Sequence, residues 1–97
     1  MTVTGEKAYA SHAEGYKSQA TGQISHAEGY NTEASGNSSH AEGYATHATK
    51  EFSHTEGQGT YAYGSTTHAE GLLTQAYGNY SHTEGHGTIT YGDCQHA

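Results

Sequence analysis

Ser11-His12-Ala13-Glu14-Gly15 returns as Ser25-His26-Ala27-Glu28-Gly29, Ser39-His40-Ala41-Glu42-Gly43, Ser53-His54-Thr55-Glu56-Gly57, Thr67-His68-Ala69-Glu70-Gly71 and Ser81-His82-Thr83-Glu84-Gly85. Each copy starts 14 residues after the last, and a seventh begins at Gln95-His96-Ala97. Between copies runs a second regular segment. It opens on Ser18, Thr32, Thr46, Thr60, Thr74 or Thr88 and places Ala20, Ala34, Ala48, Ala62, Ala76 or Thr90 two positions later. A glycine follows at Gly22, Gly36, Gly64, Gly78 and Gly92, with Lys50 the exception, which makes coil three the expected place for a local irregularity. A fixed period of this length signals a stacked array of coils.

Within each unit the small residues occupy every second position, Ser-x-Ala-x-Gly and then Thr-x-Ala-x-Gly. That is strand alternation, with one face restricted to minimal side chains. Two short strands per unit follow. Stacked in register at ~4.8 Å per coil, they enclose a thin tube filled by Ser, Ala, Thr and Gly. The glycines suit the corners, where positive φ or close backbone approach excludes a Cβ. The predicted fold is all-β, a parallel β-roll (β-solenoid) of 14-residue coils. Residues 1–10 form an N-terminal cap or partial coil, and residues 11–97 form six full repeats plus a truncated seventh. The rod is expected to be ~30 Å long.

Composition narrows the function classes. Hydrophobic residues make up 31% of the 97 positions, with Val3 and Phe52 the sole Val and Phe. A central oily core is therefore not available, and a lone chain is expected to be marginally stable. Nine Tyr and no Pro separate the sequence from disordered chains of similar polarity. Three Lys without Arg, against a net charge of −7, argue against nucleic-acid binding and against attraction to an anionic membrane. No apolar run approaches a membrane span, so no membrane insertion is expected. Met1-Thr2-Val3-Thr4 opens neither a signal peptide nor a transit peptide, and the sequence stops inside a motif. The expectation is a virion component exported without a signal, or a piece excised from a longer protein. Cys94 is the one cysteine and cannot form an intrachain disulfide.

The unit S-x-A-x-G followed by x-x-A-x-G, over about residues 11–97, resembles the head repeat of trimeric autotransporter adhesins (YadA-like heads). Its SHAEG form is similar to repeats in bacteriophage tail-fibre proteins. The resemblance implies a left-handed β-roll, a homotrimer around a threefold axis, and a role in host attachment on a virion tail or cell surface. In the adhesin heads the motif reads S-V-A-I-G, with Val and Ile facing the trimer centre; here His and Glu stand in their place.

Alternation puts His and Glu on one outward face. The expected trimer interface comprises His12 and Glu14, His26 and Glu28, His40 and Glu42, His54 and Glu56, His68 and Glu70, and His82 and Glu84. Carboxylates ~4.8 Å apart repel by about 1 kcal/mol per pair even in bulk water, so the His ladder of one protomer is expected to meet the Glu ladder of the next. Such pairing lowers the Glu pKa and raises that of His, giving an intermediate pH optimum. The residues before each motif Ser are assigned to the same face, with Ile24, Phe52 and Tyr80 as threefold apolar plugs.

On the second strand, Tyr61, Tyr63, Tyr77 and Tyr91 form an aromatic stripe suited to a host-surface glycan or protein receptor, or else a stabilising ladder. Tyr16, Tyr30 and Tyr44 make a further ladder near a corner. No metal or other cofactor is assigned, because HExxH and paired Cys/His signatures are absent and the repeat itself accounts for the histidines. No catalytic residues are expected either: motif Ser points inward while His and Glu point outward, which separates nucleophile from base. The rival readings are an ice-binding solenoid, weakened because the regular Thr column is the inward one, and a structural linker with no ligand.

Overall fold

The computed structural model describes Thr2–Val3 and residues 10–97, and every regular element among them is a strand. One sheet contains β2 (His12–Tyr16), β4 (His26–Tyr30), β6 (His40–Tyr44), β8 (His54–Thr55), β10 (His68–Ala69) and β12 (His82–Thr83), each beside the next. The other contains β1 (Thr2–Val3), β3 (Gln19–Ala20), β5 (Glu33–Ala34), β7 (His47–Ala48), β9 (Tyr61–Ala62), β11 (Gln75–Ala76) and β13 (Ile89–Thr90), again in sequential order. All pairings are parallel, and each residue from β2 onward faces its equivalent in the next repeat, as His26 faces His40 and Gln75 faces Ile89. The chain therefore winds once per repeat into a β-solenoid with extents of 33 × 22 × 12 Å. At the first edge the register differs: Thr2 pairs with Gln19 and Val3 with Ala20. The rest of the expected cap lies outside the described residues, Ala10 excepted.

The tube is filled as the alternation requires. Ala20, Ala27, Ala34, Ala41, Ala48, Ala62, Ala69 and Ala76 are fully buried, alongside the Ser and Thr columns. Most segments open on a hydroxyl that has a bonding role, Thr32 and Thr60 being without a partner among the described residues. Where the chain turns, carbonyls leave the inter-coil ladder and need another donor. Ser25 Oγ donates to the Gly22 carbonyl (2.8 Å), as Ser39 does to Gly36 (2.6 Å) and Thr67 to Gly64 (2.8 Å). At the opposite corner Ser18 donates to Glu14 (2.6 Å), Thr74 to Glu70 (3.0 Å) and Thr88 to Glu84 (2.7 Å).

Two kinds of glycine serve two needs. Gly29 has φ +113°, and a Cβ there would lie 2.1 Å from the Gly43 carbonyl oxygen of the next coil. Gly22 has no such φ but equally little room, 2.1 Å from the oxygen of Gly36. At the third member of that second series, Lys50, the backbone ladder continues unbroken. Thr49 N–H reaches the Ala62 carbonyl (3.1 Å) and Phe52 N–H reaches Asn37 (2.9 Å). The irregularity expected there does not interrupt the coil.

A second period emerges from the backbone. Ala10, Lys17, Ile24, Asn31, Ser38, Ala45, Phe52, Gly59, Thr66, Leu73, Tyr80, Gly87 and Cys94 all have φ between 53° and 70°. These are every seventh residue from 10 to 94, so each coil consists of two seven-residue halves ending in a left-handed residue. Ile24, Phe52 and Tyr80, assigned from alternation to the His/Glu strand face, belong to this set. Alternation holds only for extended backbone, and these residues sit at the turn where it ends.

Candidate functional site

The outward positions of the first sheet form two continuous columns. Imidazoles of His12, His26, His40, His54, His68, His82 and His96 stack with centroids 4.6–4.8 Å apart. The glutamates run beside them. Within one coil, His26 Nε2 lies 3.6 Å from Glu28 and His40 Nε2 3.6 Å from Glu42. Across adjacent coils, His54 approaches Glu42 (3.8 Å), His68 approaches Glu56 (3.5 Å) and His82 approaches Glu70 (3.2 Å). His96 closes on Glu84 at 3.1 Å. Relief of the carboxylate column, expected from a second protomer, is thus already available inside one chain.

His54 departs from the sequence expectation. Its pKa is lowered, first by burial among the neighbouring rings, then by His68 and His40; Glu56 and Glu70 pull the other way and lose. Stacking costs the imidazolium more hydration than the partly solvated carboxylates restore. The glutamates still act upward on this imidazole, as expected, but within one chain burial and the neighbouring rings outweigh them.

Beside the Glu column lies a groove of about 680 Å³ lined by Glu14, Glu28, Glu42, Glu56 and the glycines that follow each. A Cβ at those glycines would strike the backbone of the next coil. Next after the glycines, Tyr16, Tyr30 and Tyr44 stack at 5.1 and 4.8 Å and are exposed. From coil four the same column continues as Gln58, Leu72 and His86, still joined by parallel bridges.

The outer face of the second sheet brings together all four residues of the aromatic stripe. Tyr61 stacks on Tyr63 at 5.5 Å, Tyr63 on Tyr77 at 4.6 Å and Tyr77 on Tyr91 at 5.3 Å. The Tyr63 phenol is raised in pKa by burial, then by Tyr77 and Tyr61. Sequence reasoning missed one member: His47 stacks on Tyr61 at 4.7 Å, and its Nδ1 lies 2.9 Å from Glu33 Oε1. The signal was present, since Glu33, His47 and Tyr61 occupy one column two positions before Ser35, Thr49 and Tyr63.

Ile24, Phe52 and Tyr80 are exposed at their corners, each by more than 60%. Ser25, Ser39 and Ser53 are buried while the adjoining His and Glu are only partly so. Compared with known proteins, the chain matches no family model and has no significant match among curated protein sequences.

Proposed function

We propose that this chain is a rigid shaft segment of a host-attachment fibre or adhesin, on a phage tail or a cell surface, assembled as a homotrimer of left-handed β-rolls and without enzymatic activity. One observation carries the reading. Ile24, Phe52 and Tyr80 are large, exposed and left-handed at once. A side chain in that backbone region costs about 1–2 kcal/mol, and a β-branched one such as Ile24 is a true outlier. The coil alone would favour Gly, Asn or Asp there. Apolar bulk at a strained, solvated corner makes sense when a partner covers it. With alanine the largest buried apolar residue among the described residues, the solenoid also has more to gain from association than most domains of its size.

The His/Glu face is the natural contact surface, since the Ile24/Phe52/Tyr80 corner borders it on one side and the tyrosine corner on the other. The Tyr61/Tyr63/Tyr77/Tyr91 stripe then lies on the other sheet, free to meet a glycan or protein receptor on the host. Light scattering is expected to give a mass three times the 10.2 kDa chain, and Phe52→Asp to release monomers. Asp tolerates the left-handed region, so the variant disturbs contact and not coil. A monomeric parent protein would end the trimer reading; an intact Phe52→Asp trimer would move the interface elsewhere.

A further inference from the structure

The nitrogens of the imidazole ladder have an unusual environment. Nε2 of His26, His40, His54 and His68 is shielded from solvent yet has no hydrogen-bond partner among the described residues. Neighbouring rings cover both faces of each imidazole, and glutamate chains close the edge. The carboxylate oxygens facing these nitrogens stand 3.5–3.8 Å away, beyond a good hydrogen bond. Two ligands at ~2.1 Å from one cation, at tetrahedral or octahedral angles, are ~3.0–3.5 Å apart. A small contraction of the flexible Glu side chains would bring these pairs to that separation.

We propose that this face binds a row of divalent transition-metal ions, each held by one imidazole Nε2 and by carboxylates of the same and the preceding coil. The strongest position is His68, whose Nε2 lies between Glu56 Oε1 (3.5 Å) and Glu70 Oε2 (3.8 Å). Glu70 also offers its other oxygen to His82 at 3.2 Å. Glu42 does the same between His40 (3.6 Å) and His54 (3.8 Å). Each of these two carboxylates can therefore bridge successive ions. Two histidines cannot share one ion here: a metal lies in the plane of its imidazole, and stacked rings only 7° from parallel with centroids 4.7 Å apart, as for His54 and His68, do not aim at one point.

Mixed imidazole and carboxylate donors favour zinc, nickel or copper(II) over calcium or magnesium, which take oxygen ligands throughout. Groups of two histidines and one glutamate recur in every coil from His12 to His82, each Glu beside the His of its own and of the following coil, so the capacity scales with the number of coils. The net charge of −7 favours cation capture. A single chain supplies every ligand, so no residue of a partner is needed to hold the ions.

The test is calorimetric titration of chelator-stripped full-length protein with zinc chloride, alongside thermal melts with and without zinc. More than one zinc per chain and a rise in Tm of at least ~5 °C are expected. Glu70→Gln keeps the shape but removes the bridging charge, and should weaken the adjoining positions by ~10–100-fold. Glu51→Gln and His86→Gln, both off the ladder, should leave binding unchanged. Zinc binding that ignores Glu70→Gln would reduce the site to ordinary surface imidazoles and overturn the proposal, as would an unchanged Tm. A measurement on the unaltered chain guards against a folding artefact. Copper(II) in adjacent positions must give a spin-coupled half-field resonance, whereas isolated-ion spectra at full loading would also overturn it.

Discussion

The first three coils and the last three share one winding and register, but their first-sheet strands shorten from five residues in β2, β4 and β6 to two in β8, β10 and β12, and they differ in what they display. In the first three, tyrosines follow the motif glycine, stacked at the corner as Tyr16, Tyr30 and Tyr44. In the last three they have moved to the outer face of the second sheet, as Tyr61, Tyr63, Tyr77 and Tyr91. The interior changes at the same place. The buried alanines form one cluster from Ala20 to Ala48 and another from Ala62 to Ala76, with Thr55 between them. The lesson is a separation of tasks: inward residues keep the coil the same, and outward columns can be rewritten over three turns without disturbing it.

The harshest way to break the comparison is at the glycines, where the halves should fail alike. Gly29→Ala and Gly71→Ala each force a Cβ against the next coil's carbonyl, at 2.1 Å, on a backbone of φ +113° or +104°. Each is expected to cost roughly 3–5 kcal/mol, seen as loss of the cooperative thermal transition. A much smaller effect in one half would mean the two backbones are not equivalent.

Thr55→Val should instead join the halves. The Thr55 hydroxyl is buried without a partner among the described residues, and an isosteric methyl removes that penalty. A gain of ~1–2 kcal/mol is expected, raising Tm by ~4–8 °C per kcal/mol. A fall in Tm would show that the hydroxyl is satisfied.

The two tyrosine ladders separate stability from recognition. Tyr30→Ala and Tyr77→Ala each lose stacking contacts and should cost a similar ~0.5–1.5 kcal/mol by chemical denaturation. Only Tyr77→Ala should weaken attachment to host-surface glycans in an adhesion assay. Equal attachment by both variants would make the second ladder purely structural.

The smallest effect lies at the junction, in His54. Its folded pKa is depressed below the ordinary 6.5, so its stabilising contribution is complete above that value and is lost as pH falls through the folded pKa. Tm should decline from about pH 7 to about pH 5, and less steeply in His54→Gln. Identical slopes would remove His54 as a contributor.

Much of this was legible in the repeat. The period, the inward Ser/Ala column, the two strands per coil and the cramped glycines all follow from small residues on alternate positions. The left-handed corners did not, because Ile24, Ser38, Phe52, Thr66 and Tyr80 share a backbone state but no side-chain chemistry. Spacing placed His and Glu on one face, yet it could not say which rotamers meet, so the pairing inside one chain became visible only in three dimensions. The net direction at His54 was hidden for a related reason: sequence names the neighbouring charge but not how far stacked rings exclude water.

The left-handed residue that closes every seventh position makes the coil a unit of inheritance as well as of structure. Recombination that duplicates 14 residues lengthens the shaft by ~4.8 Å and leaves each column facing its own kind. A duplication of seven would exchange the two sheets downstream, placing the glutamate column above the column of Tyr63, Tyr77 and Tyr91. Length can therefore evolve freely in whole turns, while half turns carry the penalty of scrambled surfaces.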